Sequence, residues 1–315
     1  MKNLFFKLQS YPLAWIVLVA CLIALTISAL SPYFLTVNNF SNLMKQVSIV
    51  AILAAGQSIV IISGGIDLSV GSVLALTAVT IGWLVQNGVS PEIATVCGVA
   101  VGTFAGFLNG VIIAKGKIPP FIATLGMLGI ARGVALVITG GVSYQVLTPL
   151  FLFIGNGKLF GLPIPIYFVI VAYAATHFML SRSKFGRHVY AIGGDESVSR
   201  LEGINVDGRK IAIYALSGFF SAVAAVVMVG RLASTPPNVA FGIELQAIAA
   251  VIIGGISFAG GRGIVLTSFV GALIMAMITN GLNILGVSSF WQQVLIGIVI
   301  IAAVWVDNIK SARRR

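Results

Sequence analysis

The feature that most constrains the fold is a series of long apolar stretches that runs through the chain. A helix needs about 20 mainly apolar residues to cross a bilayer. Ten segments approach or reach that length, namely residues 12–31, 46–63, 69–86, 92–113, 119–138, 163–181, 211–231, 243–256, 263–285 and 290–307. Because lipid satisfies no backbone polar group, the sequence predicts an all-α, polytopic integral membrane protein with about ten transmembrane helices. The eighth segment is short for a full crossing, and we expect it to be re-entrant or tilted.

Composition agrees with this fold class and excludes a soluble domain of ordinary composition. Hydrophobic residues form 58% of the chain and charged residues only 9%, and the mean hydropathy is +1.07. We expect a single transmembrane domain over residues 1–315, with a polar cytoplasmic loop at 181–210. The net charge of +11 does not indicate nucleic-acid binding, because the basic residues lie in short loops and at the ends of apolar segments.

The distribution of basic residues predicts the orientation. Cytoplasmic loops of membrane proteins carry an excess of Lys and Arg. With both termini in the cytoplasm, only Lys45, Lys158 and Arg231 fall outside, and Arg132 falls within a span. The basic residues that fall inside are Lys2, Lys7, Lys115, Lys117, Arg182, Lys184, Arg187, Arg200, Arg209, Lys210, Arg262, Lys310 and Arg313 to Arg315.

An ionisable residue and a glycine pair interrupt the apolar sequence between the second and third segments. Asp67 has no cation nearby in sequence, so it is costly among apolar neighbours unless it faces a wet cavity, an interface or the membrane boundary. Gly64 and Gly65 allow a helix to unwind there. The alternative is a short interfacial turn in which Asp67 caps a helix that begins near Leu68 or Ser69.

The polar loop at 181–210 predicts a short helix. Gly194 and Asp195 offer an N-cap, Glu196 is an acid in the first turn, Arg200 lies toward the end, and Gly203 stands where a helix stop is expected. We expect this helix to dock on a partner. The alternative is a surface helix that only joins two spans.

Two glycine-interrupted segments resemble each other and suggest an internal repeat. Residues 61–69 match residues 251–259 around an identical Gly-Gly-Ile core, and Asn109-Gly110 weakly matches Asn280-Gly281. Paired interrupted segments often mark the translocation region of a transporter. The alternative is chance, because the chain contains 36 glycines.

The chain lacks the residues of an enzyme or of an ATP-binding site. No G-x-x-x-x-G-K-[ST] phosphate loop occurs, so energy for active transport must come from elsewhere. No catalytic triad or paired-carboxylate arrangement is legible, and we expect no cofactor and no metal. Cys21 and Cys97 have no Cys or His partner nearby and are interpreted as packing residues. Ionisable residues at membrane depth are few: Asp67, Arg132, His177, Arg231 and Glu244, of which Arg231 and Glu244 either pair or face water.

Neutral polar residues within the segments allow two interpretations. They suit a pathway for a neutral polyhydroxylated solute, because each hydroxyl that leaves water needs a hydrogen-bond partner. They suit interhelical contacts equally. The residues are Gln57, Ser69, Ser72, Asn109, Thr124, Gln246, Asn280 and Asn283; with Asp67, we take Ser69, Asn109, Gln246, Asn280 and Asn283 as candidates for the translocation region.

Ordered motifs give the chain a resemblance to a known family. They are residues 65–72, 114–126, 190–196, 201–205, 248–257 and 280–289. From about residue 12 to 308 the chain closely resembles the membrane permease subunit of bacterial ABC importers for monosaccharides, of the ribose permease type. The resemblance implies a permease in the bacterial inner membrane that works as a homodimer or heterodimer. It also implies cytoplasmic ATPase subunits, a periplasmic sugar-binding protein and a neutral sugar substrate, ribose or a related pentose.

The resemblance also assigns a role to the helix at 195–203. It resembles the coupling helix that docks on the ATPase, which makes Asp195, Glu196, Arg200 and Gly203 the expected coupling residues. One departure is visible: the Glu-Ala-Ala pattern of ABC permeases is here Glu196-Ser-Val. Two alternatives stay open, an ion-driven secondary carrier that uses Asp67 and Glu244, and an ABC permease for a furanose-like solute other than ribose.

Overall fold

The computed structural model describes residues 12–312, with side chains described for residues 14–307. Ten helices occupy the predicted spans, which confirms the all-α fold class. They are α1 (Pro12–Leu30), α2 (Val37–Ile62), α3 (Val70–Gln86), α4 (Pro91–Ala114), α5 (Pro120–Thr139), α7 (Ile164–Arg182), α10 (Val206–Leu232), α11 (Ile243–Ile253), α12 (Val265–Ile284) and α13 (Ser289–Ala312). Three further helices lie in connections: α6 (Pro149–Asn156), α8 (Lys184–Gly194) and α9 (Glu196–Leu201). The terminal basic residues used for orientation, Lys2, Lys7 and Arg313 to Arg315, lie outside the described residues.

Four two-residue strands join the connections at one end of the bundle. β1 (Tyr144–Gln145) pairs antiparallel with β4 (Ser234–Thr235), and Tyr144 lies opposite Thr235. β2 (Lys158–Leu159) and β3 (Leu162–Pro163) form a second antiparallel pair. We call this end of the bundle the hairpin end. The opposite end carries α9, and we call it the α9 end.

Seven of the described helices are long and apolar enough to cross a membrane: α2, α4, α5, α7, α10, α12 and α13. The described apolar parts of α1, α3 and α11 are shorter. The 11 residues of α11 extend only about 16 Å at 1.5 Å per residue, roughly half the thickness of a hydrocarbon core. The prediction that the eighth segment is too short for a full crossing is therefore confirmed.

Helix boundaries differ from prediction where polar side chains cap the helix. α2 begins at Val37, nine residues before the predicted start, because the Thr36 hydroxyl accepts a hydrogen bond from the Asn39 N–H. α10 begins at Val206, where the Asn205 side chain caps the helix. Apolar content does not mark these polar first turns, which extend the helices beyond the hydrophobic segments.

α2 forms the centre of the bundle. Every residue of α2 from Val47 to Ile62 is buried. α4 and α10 pack so closely that a Cβ atom added at Gly106 would overlap the Tyr214 carbonyl oxygen. In contrast, α5 and α13 are mostly exposed in the single chain.

The interpretation of the two cysteines as packing residues is wrong within this chain. Cys21 of α1 and Cys97 of α4 are both free and exposed. Both helices turn one face away from the bundle, and an apolar thiol is compatible with a lipid-facing position.

Candidate functional site

The chain leaves α2 at the predicted glycine pair. Gly64 has a φ of +80°, a conformation that favours glycine, and its N–H donates to the Ile61 carbonyl at 2.9 Å. The Gly65 N–H donates to the Val60 carbonyl at 3.0 Å. This pair of bonds is the Schellman pattern that ends a helix, so the unwinding predicted from Gly64-Gly65 is confirmed.

Asp67 lies in the irregular segment after this break and is buried, with 1% exposure. Its Oδ1 accepts hydrogen bonds from the Ser69 N–H at 2.9 Å and the Ser69 hydroxyl at 2.6 Å. Its Oδ2 accepts one from the Ser217 hydroxyl of α10 at 2.7 Å. The turn into α3 is therefore inside the bundle and not at an exposed interface, although Asp67 does bond the N–H of Ser69, the residue before α3 begins.

Asn109 of α4 extends the same cluster. Its Nδ2 donates to the Ser69 hydroxyl oxygen at 2.9 Å, whereas its Oδ1 has no hydrogen-bond partner within the described part of the chain. We call Asp67, Ser69, Asn109 and Ser217 the buried polar cluster. It links the start of α3 to α4 and α10 and leaves one amide oxygen available to a ligand or to water. Ser217 was missed from the sequence because it is 150 residues from Asp67 and has no local signal.

Two short helices begin inside the bundle and face each other. A Cβ atom added at Gly71, in the first turn of α3, would overlap the Glu244 carboxylate in the first turn of α11. Glu244 is only 9% exposed, and its Oε2 has no hydrogen-bond partner among the described residues. Helix N-termini carry partial positive charge, which favours a carboxylate at this position. Interrupted helices whose termini meet within a bundle are typical of transporter binding regions.

The membrane-level cations do not pair with these carboxylates. Arg132 donates through one nitrogen to the carbonyl oxygens of Pro237 at 2.7 Å and Val239 at 2.9 Å. The three ion pairs found among the described side chains include neither Arg231 nor Glu244. Arg132 therefore holds the segment between β4 and α11 in place.

A cavity of about 340 Å³ lies beside the N-terminus of α11. Its polar lining comes from Gln46 of α2, Arg231 of α10, Asn238, and Gln246 of α11. Gln246 thus belongs to this cavity, separate from the buried polar cluster. The lining offers amides and one guanidinium, groups that can donate hydrogen bonds to sugar oxygens.

Asn280 and Asn283 occupy a third place, in contacts between elements. The Asn280 and Asn39 amides exchange two hydrogen bonds of 2.9 and 3.1 Å. The Asn283 Oδ1 accepts one from the Gln292 Nε2 at 2.8 Å. The six candidates for the translocation region therefore form three separate groups, of which only Asp67, Ser69 and Asn109 make contact with one another.

α9 has the predicted cap and stop. The Asp195 carboxylate accepts hydrogen bonds from the N–H groups of Ser197 at 2.8 Å and Val198 at 3.1 Å. Hydrogen bonds from the Ser197 hydroxyl and the Val198 N–H lower the pKa of Asp195. Gly203 has a φ of +79°, and its N–H donates to the Arg200 carbonyl at 3.1 Å. The whole loop was predicted to hold one helix, and α8 was missed.

A charge network ties α9 to the first turn of α10. Glu196 accepts hydrogen bonds from Arg200 at 3.0 Å and Lys210 at 2.6 Å, and Arg200 also pairs with Asp207. Burial raises the pKa of Glu196, but the hydrogen bonds from Lys210 and Arg200 outweigh it and hold the pKa below its usual value. Beside the network is a cavity of about 540 Å³, bounded also by Lys117 and the start of α5.

The two glycine-interrupted segments are similar in structure as well as in sequence. α11 ends with the same pattern as α2: Gly255 has a φ of +85° and its N–H donates to Ile252, while the Ile256 N–H donates to Val251. In the structure Gly64 corresponds to Gly255, whereas the sequence match pairs Gly64 with Gly254. This likeness supports the internal repeat at these two helix ends.

Comparison with known proteins places the chain among permeases. Residues 39–304 match the family described as branched-chain amino acid transport system / permease component. The ribose import permease of Escherichia coli is 42% identical over 95% of this chain and 96% of its own length. The ribose import permease of Bacillus subtilis is 42% identical over 92% and 91%, and the D-allose transport system permease of Escherichia coli is 37% identical over 93% and 90%.

These relatives are named as transport subunits, in agreement with the prediction that the chain is not an enzyme. No solved structure matches the chain. A permease of an ABC importer works with ATPase subunits and a substrate-binding protein, as the resemblance implied. The apolar helices and the permease relatives make it a multi-pass protein of the inner membrane. The chain belongs to the family of bacterial ABC importer permeases of the ribose type.

Proposed function

We propose that this permease carries a neutral monosaccharide, ribose or a closely related pentose, into the cell. The observation that carries the proposal is the similarity to ribose import permeases over nearly the whole chain, which exceeds the similarity to the allose permease. The permease acts as a dimer. A second permease subunit and the surrounding lipid cover the helices that the single chain leaves exposed.

The sugar passes the cavity at Gln246 and then the buried polar cluster. Both regions offer hydrogen bonds: the cavity through Gln46, Asn238 and Gln246, and the cluster through the free Oδ1 of Asn109. A neutral sugar needs hydrogen-bond partners but no counter-charge. The amides of Asn280 and Asn283 are engaged in contacts between elements, so they support the helices that surround this route.

The ATPase subunit acts on the permease through α9. In the proposed orientation both termini and the α9 end face the cytoplasm, where α9 docks on an ATPase subunit. Asp195 and Gly203 fix the two ends of α9, while Glu196 and Arg200 connect it to the base of α10. ATP-driven movement of the docked subunit switches the bundle between outward-open and inward-open states.

Reconstitution in liposomes tests the source of energy. Because the chain has no phosphate loop, the purified permease alone should neither hydrolyse ATP nor concentrate sugar. Addition of its ATPase subunits and its sugar-binding protein should produce both activities. Concentrative uptake by the permease alone, abolished by an ionophore, would instead identify an ion-driven carrier.

Competition tests the substrate. The complete importer should take up labelled ribose, and unlabelled ribose should compete better than allose or fructose. Equal or stronger competition by a hexose would refute the pentose assignment and leave the ABC mechanism intact. The same vesicles give the ATP hydrolysed per sugar imported, which serves as the reference for every variant below.

A further inference from the structure

Three chain segments cross at the α9 end, and glycines form their contact. They are the end of α2 at Gly64, the end of α8 at Gly193 and Gly194, and the α11–α12 connection at Gly260 and Gly261. We call these five residues the glycine junction. None of them was a candidate for a site, although Gly64 and Gly194 were each noted in the sequence for local reasons.

The backbones at this junction are in direct contact. A Cβ atom added at Gly260 would stand 2.8 Å from the Gly193 carbonyl oxygen and 2.9 Å from the Gly64 Cα. One added at Gly261 would stand 2.9 Å from the Gly194 Cα, and one added at Gly193 would overlap the Ile62 carbonyl oxygen. Real Cβ atoms do not approach other atoms so closely, so larger residues would separate the three segments.

Hydrogen bonds fix the crossing. The Gly261 N–H donates to the Ile62 carbonyl, the last residue of α2, at 2.8 Å. The Tyr190 hydroxyl of α8 donates to the Gly263 carbonyl at 2.8 Å. The α11–α12 connection is thus bonded both to the end of α2 and to α8.

The junction lies between the two functional parts of the molecule. Gly193 is three residues before Glu196, the first residue of α9, and Gly64 is three residues before Asp67 of the buried polar cluster. Close-packed backbone has no side chain that can yield, so a displacement of α8 must move the end of α2 and the α11–α12 connection with it.

We infer that the glycine junction is the mechanical link by which α9 drives the break between α2 and α3, and that Gly193 is its positioning residue. The inference rests on the proposed function, since it assigns the route by which movement of the docked ATPase reaches the sugar pathway. A movement of α9 reaches the base of α10 through the charge network, whereas it reaches Asp67 through the glycine junction at the end of α2.

Two adjacent substitutions test the link in the complete importer. Gly193→Ala introduces a Cβ against Ile62. Gly194→Ala is a matched control, because Gly194 contributes only backbone atoms to the junction and a Cβ there meets no atom within 4 Å. Both remove a glycine from the end of the same helix, so their effects on helix propensity are similar. The measurements are the amount of assembled complex, the ATPase rate, and the sugar imported per ATP.

Gly193→Ala should lower the sugar imported per ATP about fivefold, as expected when overpacking forces the segments apart, while assembly and ATP hydrolysis persist. Gly194→Ala should match the parent. A merely structural role would change the amount of complex and leave this ratio unchanged. Equal ratios in Gly193→Ala and the parent, or an equal loss in both variants, would overturn the inference.

Tyr190→Phe provides the second test, and it decides the matter if Gly193→Ala fails to assemble. It removes only the hydrogen bond to Gly263 and should lower the ratio about twofold to threefold. A parent-like ratio in Tyr190→Phe would then overturn the inference. If the parent importer moves no sugar, the proposed function fails and this inference with it; if the parent couples and the variants couple equally well, only the junction is refuted.

Discussion

Substitution of Asp67 separates a hydrogen-bonding role from a charge role. The carboxylate accepts three hydrogen bonds, from the Ser69 N–H, the Ser69 hydroxyl and the Ser217 hydroxyl, and no basic side chain among the described residues bonds to it. Asp67→Asn keeps Oδ1 for Ser69 and turns a donor toward the Ser217 oxygen. It also removes a buried charge that has no cationic partner, which offsets part of the loss of charge-assisted bonds.

The expected costs differ in size. Asp67→Leu leaves three buried donors without their acceptor, and since each such donor costs about 1–3 kcal/mol, the variant should lose at least about 3 kcal/mol. Asp67→Asn exchanges charged for neutral hydrogen bonds and should cost about 1 kcal/mol. We therefore expect Asn to keep much of the transport, and Leu to lose most of it together with part of its thermal stability in detergent.

Initial rates of labelled-sugar uptake, divided by the amount of inserted protein, measure the effect on transport. Ser217→Ala, which removes one bond to Asp67, should give an intermediate loss. Ser221→Ala on the same helix is its control, because that hydroxyl bonds only to the Ser217 carbonyl of its own helix. Near-parent transport and stability in Asp67→Leu would refute the hydrogen-bonding argument. Loss of transport in Asp67→Asn with unchanged stability would show that the charge itself is required.

Three further substitutions follow from the structure. Asp195→Ala should weaken ATPase binding by about 1 kcal/mol through loss of the α9 cap, whereas Asp195→Asn should preserve it, as titrated by pull-down with purified ATPase. Gly203→Val should disturb the α9 stop at φ +79° and reduce the same binding without affecting insertion, whereas Gly203→Asn should be tolerated, because Asn accepts this conformation. Arg132→Met should free the Pro237 and Val239 carbonyls and so increase protease cleavage between β4 and α11. Cleavage is measured in inside-out and in right-side-out vesicles, and the comparison shows from which side of the membrane the protease reaches this segment. ATPase binding should not change.

Several features that depend on neighbouring residues were predictable from the sequence. The break at Gly64-Gly65, the Asp195 cap and the Gly203 stop all follow from contacts within five residues, and the structure contains each of them. Spans were located because lipid requires a continuous apolar helix. Their starts were misplaced at Val37 and Val206, since caps are polar and do not raise hydropathy.

Features that depend on distant residues were not predictable. Ser217 is one of two serines in α10, and only the fold brings it to Asp67. Gln246, Asn280 and Asn283 carry equally polar amides, and only the fold separates the one that lines a cavity from the two that bond across contacts. Composition and spacing identify polar groups within a membrane, but they do not reveal what each group faces.

Two connections leave α9, and their physical character differs. The network of Glu196, Arg200 and Lys210 is charged, and two of these side chains are 40–47% exposed, so each pair contributes little and salt screens it. The glycine junction consists of backbone contacts and hydrogen bonds between uncharged groups, on which salt has little effect. The sugar imported per ATP should therefore change little between low and high ionic strength in the parent importer. If the sugar imported per ATP fell steeply with salt while ATPase binding stayed constant, the charge network would be the main path of force. The glycine junction would then have only a packing role.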